Sequence, residues 1–280
     1  MAVTDIYHIS GGLKGRHAVA AHGTATGVQI DEFMVDRVAA NDTTGTFTAW
    51  FNVPDTTGTY CIIGGGDANA VQYFYLAVVA GQIQAKGALV GPDVCWDLIT
   101  TGTKLRPHVW HHVALVHDAV KPKIYIDSVE YSLTKGNLTE TDVTEPTYWF
   151  DTFALIDGGH IGCADSIAGG ALLTLNLIGA ISDVKYWNTN LTDAQILDDY
   201  NEVPNTTSLI SHWKFDGDYL DAVTASNNDG TAVGDITLTN NYSEFTSRFR
   251  NDLAAAPLVA DKVLISTSNG SCHAIIIKAA

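Results

Sequence analysis

Apolar and polar residues alternate with a period of two along most of this chain, and helical periodicity is rare. Phe47-Thr48-Ala49-Trp50-Phe51-Asn52-Val53 is the first clear run, and it ends in the turn cluster Pro54-Asp55-Thr56-Thr57-Gly58. Residues 60–63 read as a second strand, stopped by Gly64-Gly65-Gly66, which with Asp67 is expected to form a tight turn. Residues 73–79 form a third strand, and 82–86, after Gly81, its hairpin partner. Residues 110–117 and 123–131, separated by 118–122, read as an antiparallel pair. Residues 148–161 and 172–187 are longer β segments, the second interrupted by Gly179. Two helices are expected. Thr192-Asp193-Ala194-Gln195 is a capping box, followed by Ile196 and Tyr200 on one face. In residues 243–256, Phe245, Phe249 and Leu253 are spaced by four, and Pro257 follows. At the C-terminus, Asn269-Gly270 between two apolar runs signals a hairpin. A hairpin this apolar must be covered, by its own domain or by a neighbouring subunit.

Short strands, repeated turn signals and few helices predict an all-β fold, a jelly-roll β-sandwich with two short helices and N- and C-terminal extensions. Composition agrees: 30 Thr and 25 Gly suit a β-rich, turn-rich chain, and 46% hydrophobic residues exclude global disorder. Charged residues are only 16%, with 31 acids against 15 bases, a net charge of −16. That balance argues against nucleic acid and against an anionic membrane surface as partners. The acidity is polarised. From Thr189 to Asp235 there are nine acids and one base, Lys214, half of the total in one stretch. Cys61, Cys95, Cys163 and Cys272 show no CxxC spacing, so neither a zinc ribbon nor a dithiol redox motif is indicated. Residues 1–10 lack an apolar core of the signal-peptide kind. The weakly polar run 167–181 is short for a membrane span.

Three segments together resemble the laminin-G-like branch of the concanavalin A-like lectin/glucanase superfamily, pentraxins included. They are Phe47-Thr48-Ala49-Trp50-Phe51; Val109-Trp110-His111-His112-Val113-Ala114 with Lys123-Ile124-Tyr125-Ile126-Asp127, where Ser128 replaces the usual Gly; and 178–187 with the capped helix that follows. His212-Trp213-Lys214-Phe215-Asp216, with Asp221 and 227–231, is similar to a later segment of that family. The resemblance spans 28–240 and implies three parts: an N-terminal arm at 1–27, the jelly roll at 28–240, and a C-terminal helix-and-hairpin extension at 241–280. It implies a concanavalin A-like fold, which hosts lectins, glycosidases, adhesion modules and viral structural proteins alike.

Candidate chemistry is sparse. Adjacent residues His111 and His112 point to opposite faces of a strand and cannot chelate one ion together. Asp216, Asp218, Asp221, Asn227 and Asp229 form an oxygen-rich cluster of the kind calcium takes, although Asp and Asn are also ordinary turn residues. The resemblance implies calcium on a rim of this fold in some members. Trp96, Tyr73 and Trp149, with Tyr148, are candidates to stack on sugar rings, set against the core packing that a jelly roll asks of most aromatics. The Glu-x-Asp-x-x-Glu strand of the glycosidase branch is absent, and no Gly-x-Ser-x-Gly elbow or phosphate loop occurs, so the chain is expected not to be an enzyme. The expected role is a virion structural protein, a bacteriophage capsid decoration or fibre component made in the host cytoplasm. It would assemble through its terminal extensions as a homo-oligomer and with other virion proteins such as a capsid protein. A carbohydrate-binding lectin module, with or without calcium, is the alternative, and surface glycans are then its partners; a glycoside hydrolase is a distant third.

Overall fold

The computed structural model describes residues 6–9, 16–22, 26–67, 72–89, 94–102, 105–135, 147–164, 175–226, 228–242, 262–268 and 271–277. Two antiparallel eight-stranded sheets face each other. In chain order the strands are β1 (Ile6–Ile9), β2 (Arg16–His22), β3 (Gly27–Gln29), β4 (Gly45–Asn52), β5 (Thr59–Gly66), β6 (Tyr73–Val79), β7 (Gln82–Ala88), β8 (Val94–Thr100), β9 (His111–His117) and β10 (Pro122–Ile126). There follow β11 (Val129–Glu130), β12 (Leu133–Lys135), β13 (Gly158–Ile161), β14 (Ile178–Trp187), β15 (Leu209–Trp213), β16 (Thr231–Val233), β17 (Ile236–Tyr242), β18 (Lys262–Ser268) and β19 (Ser271–Ile277). The first sheet runs β11-β10-β9-β4-β14-β2-β17, with β15 also on β14. The second runs β12-β8-β7-β6-β5-β13-β3-β16. β1, β19 and β18 make a separate three-stranded sheet. The expected jelly-roll sandwich is therefore present. Residues 16–22, placed in an arm by sequence, are an inner strand between β14 and β17.

The core between the sheets is strongly aromatic. Phe47 and Phe51 of β4, Phe74 of β6, Trp96 of β8 and Tyr186 of β14 meet Trp149, Phe150 and Phe153 there. These last three belong to a segment that alternates like a strand. In the structure, residues 147–157 fold into turns instead, with the Phe153 amide donating to the Trp149 carbonyl at 2.9 Å and the Ile156 amide to Phe153 at 3.3 Å. Apolar content drew the strand expectation, but local hydrogen bonds satisfy this backbone.

Gly64-Gly65-Gly66 is not a turn. The glycines lie within β5 and pair with β6 and β13. They make room. A Cβ on Gly65 would stand 3.0 Å from Met34 Sδ, and one on Gly159 of β13 2.4 Å from Met34 Cε. Met34 belongs to α1 (Asp31–Ala40), whose Phe33 and Met34 are fully buried. Phe33 enters the core edge-on to Tyr186 and Trp213, with ring centroids 5.1 and 5.3 Å away. Gly179 does not interrupt β14 either. Its φ is +140°, and a Cβ there would meet the Asn52 carbonyl oxygen at 2.1 Å, so only glycine fits.

The second helix is α2 (Asp193–Tyr200), and its capping box is formed. Thr192 Oγ1 accepts from the Gln195 amide, and Gln195 Oε1 accepts from the Thr192 amide. The helix expected at 243–256 lies outside the described residues. α1 was not foreseen. Its N-cap is Ile30, which offers no side-chain cap. The connection is tertiary instead: the Ile30 amide donates to the Gly159 carbonyl at 2.8 Å, and the Gly159 amide to Asp31 Oδ1 at 2.9 Å.

Candidate functional site

The His-His pair is structural, as the strand geometry demands. His111 Nε2 accepts from the Arg106 amide at 3.0 Å, which places its proton on Nδ1, 2.8 Å from Asp127 Oδ2. On the opposite face, His112 Nε2 lies 3.0 Å from Asp199 Oδ2, and Lys185 Nζ lies 2.6 Å from Asp199 Oδ1. Burial alone would raise the Asp199 carboxyl. The His112 hydrogen bond and the Lys185 ammonium outweigh it and hold the group well below the ordinary carboxylate range. Tyr200 stacks on Trp50 with ring centroids 5.4 Å apart, so this cluster fastens α2 to the outer face of the first sheet.

The three residues expected to stack on sugars are buried. Trp96 and Trp149 are 0% and 1% exposed, are stacked 6.3 Å apart, and donate their indole N–H groups to the Tyr148 carbonyl and the Tyr186 hydroxyl. They are core residues, and that expectation is corrected: a ring packed on both faces has none to offer a ligand. Tyr73 is on the outer face of the second sheet but only 7% exposed, parallel to Tyr75 at 6.2 Å. Behind this pair runs a polar strip. Tyr75 OH donates to Gln84 Oε1 (3.3 Å), Gln84 Nε2 donates to Asp97 Oδ1 (2.6 Å), and Lys86 Nζ lies 3.6 Å from Asp97 Oδ2. Burial, then the Asp97 charge, pushes the Tyr75 hydroxyl above its ordinary value.

Among the described residues of the Asp-rich loop no three His, Cys, Asp or Glu side chains converge as a metal group. Its carboxylates hold backbone. Asp221 Oδ1 accepts from the amides of His212 (2.8 Å) and Val223 (2.9 Å), and Ser226 Oγ lies 2.5 Å from Asp221 Oδ2. Asp229 Oδ1 accepts from the Asp221 amide, and Asp218 Oδ1 from the Leu220 amide. Asn227 lies outside the described residues. The loop closes over Trp213, whose indole donates to the Asn228 carbonyl at 2.8 Å.

What the fold does assemble is an acid-lined cleft of about 340 Å³, walled by Asp31, Glu32, Val35 and Asp36 of α1 and by Ser226 of the Asp-rich loop. Asp31 is already engaged: Oδ1 accepts from Gly159, and Oδ2 lies 2.5 Å from Gln29 Nε2. Glu32 and Asp36 are exposed and sit one helical turn apart on the same helix. Val35, 49% exposed, is the apolar element of the wall. None of the sequence motifs above includes these acids. The spacing of Ile30, Met34 and Val38 by four, with two acids in the first turn, is the signal that could have found them.

An aromatic-cored sandwich of two large antiparallel sheets is the architecture of the jelly-roll class of fold. The family model for Laminin_G_3, described as concanavalin A-like lectin/glucanases superfamily, matches residues 22–197, more than half of the chain, and the protein belongs to that family. The match ends before the Asp-rich loop. No curated protein matches the sequence. Among solved structures, a candidate carbohydrate-binding protein from Bacteroides ovatus is similar, with TM-score 0.52 and 17% identity over 82% of this chain. This chain spans 61% of that protein. The CBM40 of the Ruminococcus gnavus IT-sialidase, bound to α2,3-sialyllactose, aligns at TM-score 0.49 and 12% identity, covering 68% of this chain and all of that one. A heptameric SAP-like pentraxin from Limulus polyphemus aligns at 0.46 and 13%, covering 86% and 98%.

Proposed function

We propose that this protein is a non-catalytic carbohydrate-binding module that takes a neutral or amino sugar in the cleft between α1 and the Ser226 loop. The observation that carries the reading is the lining of that cleft. Carboxylates accept hydrogen bonds from sugar hydroxyls, Ser226, whose hydroxyl proton goes to Asp221, can accept one, and Val35 offers contact to the C–H face of a ring. The net charge of −16 opposes sialylated or uronic ligands. Hydrolysis is disfavoured because a glycosidase needs two carboxyl groups flanking one bond. Here Asp31 is engaged on both oxygens, and Glu32 and Asp36 stand side by side on one helix.

A glycan array followed by calorimetry tests the reading. Neutral or amino sugars bind, Glu32→Gln and Asp36→Asn each weaken binding about tenfold, and EDTA leaves it unchanged. Flat binding across the array, or variants that bind as tightly as the wild type, overturns it. The narrower role of a virion structural component is supported by one observation, the sheet that the two chain ends form together. Its test is the recovery of the protein in purified particles at a fixed stoichiometry, and absence from them removes it.

A further inference from the structure

Two buried cysteines flank one cross-strand contact of the second sheet. β13 runs antiparallel to β5, with Ile161 facing Ile63. One step further, the Gly162 amide donates to the Ile62 carbonyl at 2.9 Å. Cys163 follows Gly162 and Cys61 precedes Ile62, so the antiparallel run carries the two cysteines to the same place. Gly162, with φ of +89°, turns the chain onto the outer face of the sheet, where Ala164 packs in one buried cluster with Cys61, Tyr73 and Tyr75. The residues on both sides of Cys163 are therefore held against β5. The returning chain is held there too. The Cys61 amide donates to the Leu175 carbonyl at 2.8 Å, and the Leu177 amide to the Gly162 carbonyl at 2.7 Å. Both cysteines are 0% exposed. Burial, then the Cys163 thiol, pushes the Cys61 thiol up, so the two groups also meet electrostatically.

A disulfide spans Cα atoms about 4.4–6.8 Å apart, and cross-strand neighbours stand about 4.5–5.5 Å apart. Cys61 Sγ lies 3.7 Å from the Leu76 carbonyl oxygen, a weak contact for a thiol. Cys163 Sγ sits beside Gly27, where a Cβ would stand 2.7 Å from it. Each sulfur turns about a single side-chain torsion. We propose that Cys61 and Cys163 are the site of an intramolecular disulfide that bonds the chain beyond β13 to β5. It forms by exchange with a small-molecule disulfide of the glutathione kind. The Sγ–Sγ bond forms and the S–S bond of the oxidant breaks. Two protons and two electrons pass from the cysteines to the oxidant, which leaves as two thiols. Buried thiols in apolar surroundings are inert, so the exchange belongs to folding, before the outer cluster closes over the sulfurs. The closed loop holds about 100 residues, and the bond stabilises mainly by restricting the unfolded chain.

The test is to refold the full chain from urea in two buffers, one with oxidised and reduced glutathione and one with excess reductant. Each sample is then alkylated under denaturing conditions, weighed intact and peptide-mapped. Of the 4 Cys, all should be alkylated in the reduced sample, and two fewer in the oxidised one, with the Cys61 and Cys163 peptides joined. The oxidised protein should unfold at a urea midpoint about 1 M higher, and reductant should remove the gain. Cys163→Ser and Cys61→Ser should each abolish the gain, whereas Cys95→Ser should keep it. If Cys61→Ser fails to fold, Cys61→Ala, which leaves no hydroxyl in the apolar cluster, takes its place. Full alkylation of both samples overturns the proposal, as does a bond that uses Cys95 or Cys272. A joined product that lacks the near-ultraviolet circular dichroism of the buried tryptophans overturns it as well, because the bond is then not part of the native fold.

Discussion

Ser128 has φ of +66° beside Asp127 at +51°, so the two residues form the left-handed turn that closes β10 onto β11. Aspartate tolerates that conformation and here has a second task, accepting from the His112 amide at 2.9 Å. Serine gains nothing comparable in the described contacts, so Ser128→Gly should stabilise the protein by about 1 kcal/mol, read as a higher urea midpoint at constant slope. Asp199 is the opposite case. Asp199→Asn leaves Lys185, 14% exposed, facing no carboxylate, and should cost about 3 kcal/mol at neutral pH. The folded carboxyl is held below its ordinary 3.8, so its contribution is complete above that value and is lost as pH falls toward the folded one. The gap between wild type and variant in urea unfolding should therefore stay constant from about pH 5 to 8 and narrow below about pH 4.

Among the elements, α1 and α2 show how differently two short helices can be specified. α2 carries its own start signal, Thr192 with Gln195, and was legible without any tertiary knowledge. α1 begins at a residue that cannot cap, and takes its first hydrogen bonds from β13, nearly 130 positions away. It is seated by glycines in two strands that read as a turn and as part of a longer segment. Gly159→Ala would press its Cβ into Met34 and should destabilise by roughly 2 kcal/mol. Because Met34 and the cleft acids share one helix, the same substitution should also weaken glycan binding, measured by calorimetry at a temperature where the variant remains folded.

At the scale of the whole molecule, the charge of −16 resolves into an acidic jelly roll and nearly neutral ends. This sets the sign of salt effects. Binding of a neutral sugar should be almost insensitive to ionic strength, whereas an amino sugar should bind more weakly as salt screens the cleft. Ser226 of the Asp-rich loop and the carboxylates of α1 line one cleft.

The sequence by itself determined the sandwich, the pairing of the Trp-His-His strand with the Lys123 strand, and the capped helix, because period-two alternation, turn residues and capping pairs act within a few positions. Which aromatics were core and which acids lined a cleft was decided only by tertiary structure. Trp96 and Trp149 look the same from sequence whether they face a sugar or each other. Ser226 lies too far along the chain from Asp31, Glu32 and Asp36 for any local pattern to join it to them. Only the packing of α1 into the glycine gap of the second sheet brings them together, and that packing depends on side-chain volume removed from two distant strands.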